Sequence, residues 1–363
     1  MNLIVGLKKR DFSDPVGFPD LQFSPQRYGW AALGGPDFAE IAVAGEARGL
    51  WSLLNWLRAP VEITDERDVP VWWGYVDEIV VQVGAIEVGV SLRYMVNRVA
   101  VTYSYVPPGS STVGTRATTG WVQDDDSVAT YGTKELLDSR DGATAAAAEA
   151  RRDAILARLK YPIPTARVLG GAETLEARLL CRGWWSTLDW TYYTNSGTAS
   201  VETSTQIDTI VTAEGAFFSG VDLVDASGIS SSEYQEGDAT ALRVIRQLLE
   251  DGSSNDQRLL ATVTRDRVLK VYEEPGSDEV TLYLPADGRP QDGWGNEVLA
   301  HTCPVAQWCE LKDVIPATVD SGVLAAPSPF FVERAEFDVR RQLWIPEPRG
   351  IPSPWEIGEL VDG

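Results

Sequence analysis

The sequence contains one histidine, His301, and three cysteines, Cys181, Cys303 and Cys309, among 363 residues. A lone histidine leaves Ser-His-Asp and Cys-His catalysis a single base to draw on. Neither a Gly-x-Ser-x-Gly elbow nor a His-Glu-x-x-His pair is present. A glycine-rich phosphate loop ending in Lys-Ser or Lys-Thr is missing as well, and Gly293-Trp294-Gly295 reads as a turn rather than a dinucleotide fingerprint. An odd cysteine count at uneven spacing defines no disulfide framework, so the expectation is reduced, mostly buried thiols. Long apolar runs are lacking too. The longest are about strand length and are broken by charge or glycine, which excludes a membrane-spanning helix. At the N-terminus the apolar residues Leu3, Ile4 and Val5 precede the basic Lys8, Lys9 and Arg10. That is the reverse of a secretory signal, and it predicts synthesis and folding in a cytoplasm. Basic residues are few: 31 Lys and Arg face 53 Asp and Glu, a formal net charge of −22. A groove that grips nucleic acid needs a basic surface, so a specific DNA-binding role is disfavoured. The same balance suits a solvated acidic exterior, or a surface that repels nucleic acid.

What is abundant is strand character. From Val69 to Tyr105 nearly every second residue is β-branched or aromatic, with no proline after Pro70. The run predicts two or three consecutive strands, broken near Gly84 and near Asn97. Ahead of it, residues 1–45 read as irregular, punctuated by Asp14-Pro15, Phe18-Pro19, Ser24-Pro25 and Gly34-Gly35-Pro36. Residues 46–58 place Leu50, Leu53, Leu54 and Leu57 at helical spacing, and Pro60 stops that helix. Val61 to Thr64 opens a strand, and the charged turn Asp65 to Asp68 leads into the long β run. Residues 107–119 are rich in Pro, Gly, Ser and Thr and read as a linker or mobile loop. Trp121 to Tyr131 reads as a short strand with an acidic tip at Asp124, Asp125 and Asp126. A helix is predicted from Ala143 to Leu159, capped by Asp141 and ended by Pro162 and Pro164. Residues 165–215 return to β character, and 216–237 form a Gly/Ser-rich connection. A second helix spans Ala239 to Glu250, capped by Asp238, striped by Leu242, Ile245 and Leu249, and closed by Gly252. A hairpin follows, Leu259–Val263 and Val268–Tyr272, turning on Thr264 to Arg267. The tail from 285 carries many prolines and isolated strands, and no repeat of fixed period is found.

At this length two to four domains are expected. The divisions read as 1–106, 107–164, 165–237 and 238–363, with strands from different segments interleaved. Strands dominate, and the helices are too few to cover a parallel sheet. The fold class is therefore mainly β with some α: antiparallel barrel- or sandwich-like domains joined by two short helices.

Three patterns carry candidate chemistry. His301, Cys303, Cys309 and distant Cys181 are a donor set that zinc accepts, although Cys-x5-Cys is not the tight spacing of common structural sites and Trp308 beside Cys309 suits packing. Acidic pairs occur at Asp77-Glu78, Asp124–Asp126 and Glu273-Glu274, as a glycosidase needs, but with 53 acidic residues such pairs arise by chance. Thirteen tryptophans keep sugar stacking in view, while the placement of Trp72, Trp73, Trp184, Trp185 and Trp190 inside strand-like or helical runs points to core. No residue is assigned a catalytic, cofactor-binding or metal-binding role on these grounds.

The segments Val71-Trp72-Trp73-Gly74-Tyr75-Val76-Asp77 and Val90 through Tyr103 together resemble the N-terminal barrel of tail-hub (baseplate-hub) proteins of tailed bacteriophages. Ala129-Thr130-Tyr131-Gly132 leading into the Ala-rich helix is similar to the same family, as is Cys181-Arg182-Gly183-Trp184-Trp185-Ser186-Thr187-Leu188-Asp189-Trp190. The helix Thr240 to Leu249 before the Leu259–Tyr272 hairpin matches a late hub segment. The patches fall in the right order along the chain, whereas residues 1–45 and those after 285 carry no resemblance. The resemblance implies a non-enzymatic virion protein at the tail tip. Such a hub forms a ring, usually a homotrimer, that closes or extends the distal end of the tail tube and continues its inner sheet. It adapts six-fold to three-fold symmetry, meets distal tail and tube proteins and the tape-measure protein, anchors fibre or spike proteins, and lets DNA pass during genome ejection. It implies no cofactor, no specific nucleic-acid binding and no stable membrane insertion. Strand-rich subunits with free edges, heterologous contacts around a ring and an acidic bore agree with that expectation. Two other readings remain open: a six-fold distal tail ring protein, and a β-rich protein that binds or hydrolyses polysaccharide.

Overall fold

The computed structural model describes residues 3–105, 116–170, 174–193, 200–223, 228–232, 237–255, 257–276, 280–284, 291–292, 294, 296, 298, 305–313 and 330–349. The first half of the chain forms strands β1 (Ile4–Lys8), β2 (Pro15–Val16), β3 (Leu21–Ala31), β4 (Leu33–Gly45), β5 (Pro60–Thr64), β6 (Pro70–Gly84), β7 (Ile86–Ser91), β8 (Arg98–Ser104), β9 (Arg116–Thr118), β10 (Val122–Gln123), β11 (Glu135–Asp141), β12 (Thr165–Val168) and β13 (Thr174–Arg182). Its helices are α1 (Ala47–Ser52), α2 (Asp125–Tyr131) and α3 (Ala145–Leu159), with a 3-10 turn at Leu53–Trp56. The second half adds a 3-10 helix at Trp184–Asp189, α4 (Thr203–Glu214) and α5 (Ala241–Glu250). Its strands are β14 (Ser200–Glu202), β15 (Gly220–Leu223), β16 (Ser230–Ser232), β17 (Leu259–Val263), β18 (Val268–Glu273), β19 (Val280–Leu284), β20 (Trp308–Asp313), β21 (Phe330–Asp338) and β22 (Leu343–Pro348).

The centre of the molecule is a run of eight strands in the order β12-β7-β6-β13-β4-β3-β21-β22, antiparallel at every step. Its alternation is clean over the β7–β6–β13–β4–β3 stretch, as expected of an antiparallel sheet with one face on a core. Val88, Val81, Ala177, Val43 and Phe23 stand opposite one another on one face. Val90, Ile79, Leu179, Ile41 and Pro25 form the next row of that face. Ile79, Val81, Leu179 and Ile41 are fully buried, each such burial stabilising by about 1.5–3 kcal/mol. The opposite face is polar, with Arg167, Glu87, Gln82, Glu176 and Gln22 in register across it.

Flanking pieces extend this sheet. The first half of β6 pairs with β5, which carries β1 and through it β2. The start of β4 pairs in parallel with β17, the first strand of the β17–β18 hairpin, and β15 lies parallel to β18. Beyond β21 lies β20, then β19 in parallel. α1 and the 3-10 turn lay Leu50, Leu53 and Leu57 on the apolar face. The 3-10 helix adds Trp184, Trp185 and Leu188, backed by α4 and α5. Its approach depends on Gly183, where a Cβ would stand 1.7 Å from the Pro36 carbonyl oxygen. A smaller unit packs α3 on β8, with Leu156 against Val96 and Val99. There β8 pairs in parallel with β11 and antiparallel with β9 and β10.

The mainly-β class with some α holds, and so do the strand breaks at Gly84 (φ +59°) and before Arg98, the hairpin on Thr264–Arg267, and helices at α3 and α5. Several expectations need correction. Among the described residues the hydrogen-bonded path has two ends, β2 and β19, so the main sheet is open there and not a closed barrel. Residues 1–45 are not irregular: β3 and β4 form a long hairpin. Pro25 sits at a register shift, and Pro36 pairs with Trp30 just after Gly34 and Gly35, which lie in β4 with left-handed φ of +107° and +76°. Of Trp121–Tyr131 only Val122–Gln123 is a strand, β10, and the acidic tip becomes a helix start: Asp124 accepts the Ser127 N–H at 2.9 Å and opens α2. The 165–215 region holds α4 and the 3-10 helix besides its strands, so the helices are more than two. The caps differ as well: Thr144, not Asp141, caps α3, and Thr240, not Asp238, precedes α5.

Candidate functional site

The two-faced sheet outruns its cover at one end. One row beyond Val88, Val81 and Ala177, the same face presents Val168, Ile86, Val83 and Leu175, in register across β12, β7, β6 and β13. Val168 is 82% exposed, and Ile86 and Leu175 are each 50% exposed. This lip is the core face continued into solvent, since the side chains of in-register partners share a face. A contiguous apolar row of this kind marks an interaction surface more often than an isolated exposed leucine does.

The lip ends on an open strand edge. Among the described residues β12 pairs only with β7, and all four of its residues are exposed. The Leu169 N–H goes to the Ala85 carbonyl at 2.8 Å. Ladder alternation then turns the backbone N–H and C=O of Ala166 and Val168 to the open side. Such an edge is a template for another strand. The far edge, β22, is built differently. It pairs with β21, and Leu343 and Ile345 are 42% and 45% exposed. Pro346 and Pro348 cannot donate a ladder bond, so this edge meets a neighbour through side chains. One sheet thus carries two unlike, partly apolar edges.

The sequence did not single out Val168, Ile86 or Leu175. The β run containing Ile86 was legible, but the row forms only when β12 docks about eighty positions downstream, and no local pattern announces that pairing.

A cleft of about 770 Å³ opens on the polar side, where β4, β6 and β13 meet the 3-10 helix. Cations and anions both line it: Arg27, Arg93, Lys134 and Arg182 with Asp37, Glu40, Asp77, Glu78 and Asp189. Burial raises the Asp77 carboxyl, against the pull of Arg182 at 3.5 Å and of Lys134. Burial pushes Lys134 down to about 8, with Asp77 opposing. The aromatic lining is Phe38, Tyr75 and Trp190, of which Tyr75 and Trp190 are 1% and 6% exposed. Tyr75 and Trp190, so covered, offer no open face on which a sugar could stack, and half-buried Phe38 carries the Arg27 guanidinium over its ring at 5.5 Å.

The donor set suspected from sequence is not assembled by the described residues. His301 and Cys303 lie outside them. Cys181 is buried in β13 and Cys309 in β20, and burial raises both thiols, Cys309 to about 11. Among the described residues no group of three or more His, Cys, Asp or Glu side chains is arranged to hold a metal. The acidic pairs are taken up structurally. Asp124 caps α2 and pairs with Lys160 at 2.8 Å, Asp77 faces Arg182, and Glu274 pairs with Arg349 and Arg258. Trp72, Trp184, Trp185 and Trp190 are core residues. Among the described residues no helix is long and apolar enough to cross a membrane.

No protein-family model matches the chain, and no curated protein matches it. Solved structures do align along most of its length. The prophage tail protein gp18 of Listeria monocytogenes aligns over 99% of both chains at 8% identity and a TM-score of 0.42. The 43 kDa tail protein of prophage MuSo2 from Shewanella oneidensis covers 93% of this chain and 94% of its own, at 8% identity and 0.44. A tail protein of Neisseria meningitidis covers 93% and 92%, at 6% identity and 0.41. At these scores, function has to be argued from the chain's own residues.

Proposed function

We propose that this protein is a structural component of a bacteriophage tail that assembles into a ring with copies of itself, as a tail-tip hub. The observation that carries the reading is the central sheet with two unlike edges, the β12 lip and the Leu343/Ile345 ridge of β22. Identical edges would favour a closed two-fold pair. Unlike edges on one sheet suit heterologous contacts, which close into rings. The resemblance of the 71–77, 90–103 and 181–190 segments to tail hubs gives the ring its setting. In that setting the tube, distal tail, tape-measure and fibre or spike proteins are the neighbours, and the ring reconciles six-fold and three-fold symmetry. An acidic lumen that repels DNA belongs to the same proposal. The polar face of the central sheet does not supply it, because Glu40, Glu78, Glu87 and Glu176 share that face with Arg27, Arg167, Arg178 and Arg182.

The test uses two charge insertions, Val168→Glu at the lip and Ile345→Glu at the ridge, followed by sedimentation velocity and negative-stain microscopy. Each variant alone should keep its far-UV circular dichroism and lose rings. Mixed together they should give dimers and no larger species, because one intact lip meets one intact ridge. A wild-type chain that stays monomeric at every concentration, or variants that assemble like wild type, would overturn the proposal.

A further inference from the structure

Away from both edges, three arginines gather where the β1–β2 connection meets the 3-10 turn and the β17–β18 turn. Arg58 is 6% exposed, with a left-handed backbone (φ +61°) held by its N–H to the Val76 carbonyl at 2.7 Å. Its guanidinium lies over the rings of Phe217, at 5.1 Å, and Phe12, at 5.9 Å. Its side-chain contact with a hydrogen-bond acceptor is a long one, 3.4 Å from Nη2 to the Thr130 carbonyl, and its buried Nε has no partner among the described residues. Arg267 lies 3.6 Å from the Phe12 ring centroid and donates from Nη1 to the Phe217 carbonyl at 2.9 Å, while Arg10 gives its Nε proton to the Leu57 carbonyl at 2.7 Å and an Nη2 proton to the Asn55 carbonyl, leaving Nη1 for a ligand. Burial depresses all three guanidiniums, Arg58 to about 10, where Arg10 and Arg267 push in the same direction. Among the described residues none of the three forms an ion pair with a carboxylate, in a chain with 22 surplus acids.

This arrangement is costly as it stands. A buried cation with unused donors loses its hydration without recovering it from a partner. The cluster is also open to a ligand. Arg10 and Arg58 line a cavity of about 660 Å³ together with Lys9, Asp11, Trp56 and Thr130. Lys9 is engaged by Asp14 at 3.1 Å, so the free charge of the cavity wall is that of the two guanidiniums against Asp11. A planar guanidinium recognises phosphate and carboxylate oxygens through paired N–H donors.

We propose that this cavity is an oxyanion site, in which Arg10 and Arg58 bind a phosphate or carboxylate group that completes the hydrogen bonding of Arg58. Arg267 acts from behind Phe12, adding positive potential without touching the ligand. The full-length chain is titrated at constant ionic strength with inorganic phosphate and, separately, with succinate, following the melting temperature and, for phosphate, the ³¹P line width. At about 10 mM ligand the wild-type melting temperature should rise by about 2–4 °C. Arg58→Leu should abolish the response and, by relieving the buried charge, should not lower the starting melting temperature. Arg10→Gln, at the cavity rim, should abolish the ³¹P broadening if Arg58→Leu folds poorly. A response to phosphate alone, or to succinate alone, supports the site and identifies the group it takes. No response to either anion, or an equal response in both variants, overturns it.

Discussion

Lys134 shows how one residue can make the stability of this fold depend on pH. Its ammonium donates to the Leu92 and Arg93 carbonyls and lies 5.3 Å from the Trp190 ring centroid, sheltered from water. Burial lowers its pKa from 10.5 to about 8. Below that value both folded and unfolded chains carry the charge, and the folded chain bears the full desolvation penalty. Between about 8 and 10.5 the unfolded chain holds the proton and the folded chain does not. Stability therefore rises with pH through this window, by roughly 3 kcal/mol for this group. Lys134→Met lacks the titration, so urea midpoints measured across the window should move in favour of wild type relative to the variant. A constant difference would show that Lys134 stays charged in the fold. Glu333 works in the same sense at the acid end of the scale. Glu333 is held below its ordinary value by its hydrogen bond to Arg258, with the Arg258 and Arg349 charges adding to the effect. That contribution is present at neutral pH and is lost on acidification through the lowered pKa.

At the scale of single elements, α5 illustrates what a periodic sequence can specify. The stripe Leu242, Ile245 and Leu249 was readable, and the buried set is Ala241, Val244, Ile245, Leu248 and Leu249, with Leu242 partly covered. Ile245→Ala should cost about 2–5 kcal/mol in chemical denaturation, because the helix is pinned between the 3-10 helix and α4. Arg246→Ala on the exposed side should change stability by less than about 0.5 kcal/mol. The elements that escaped the sequence share a physical reason: long-range pairing overrode local signals. Pro25, Gly34, Gly35 and Pro36 look like loop residues, yet β4 is held by β13 on its other side and a register shift accommodates Pro25. α4 reads Thr-Ser-Thr-Gln-Ile-Asp-Thr-Ile-Val-Thr, a β-prone composition, and becomes helical with Ile207, Ile210 and Val211 buried in the core. The hairpin Leu259–Glu273 was legible because its signal is local. The apolar lip and the arginine cluster were not, since each joins residues more than forty positions apart.

For the whole molecule, the proposed ring sets two forces against each other. Each copy carries a formal charge of −22, so copies repel at a distance, while the lip and the ridge attract on contact through apolar area. Salt separates these forces. It shortens the reach of like-charge repulsion to about 8 Å near 0.15 M and about 3 Å at 1 M, and it leaves apolar burial intact. The assembled fraction should therefore grow as sodium chloride is raised from about 50 to about 500 mM, read by sedimentation velocity at fixed protein concentration. Val168→Glu adds a negative charge at the contact as well as removing apolar area, so high salt should restore only part of its assembly. Rings that dissolve as salt rises would place ion pairs at the centre of the contact, with partners such as Arg167 beside the lip or Arg341 near the ridge. The two edges would then be joined by charge complementarity, and the exposed row Val168-Ile86-Val83-Leu175 would have to face a different partner.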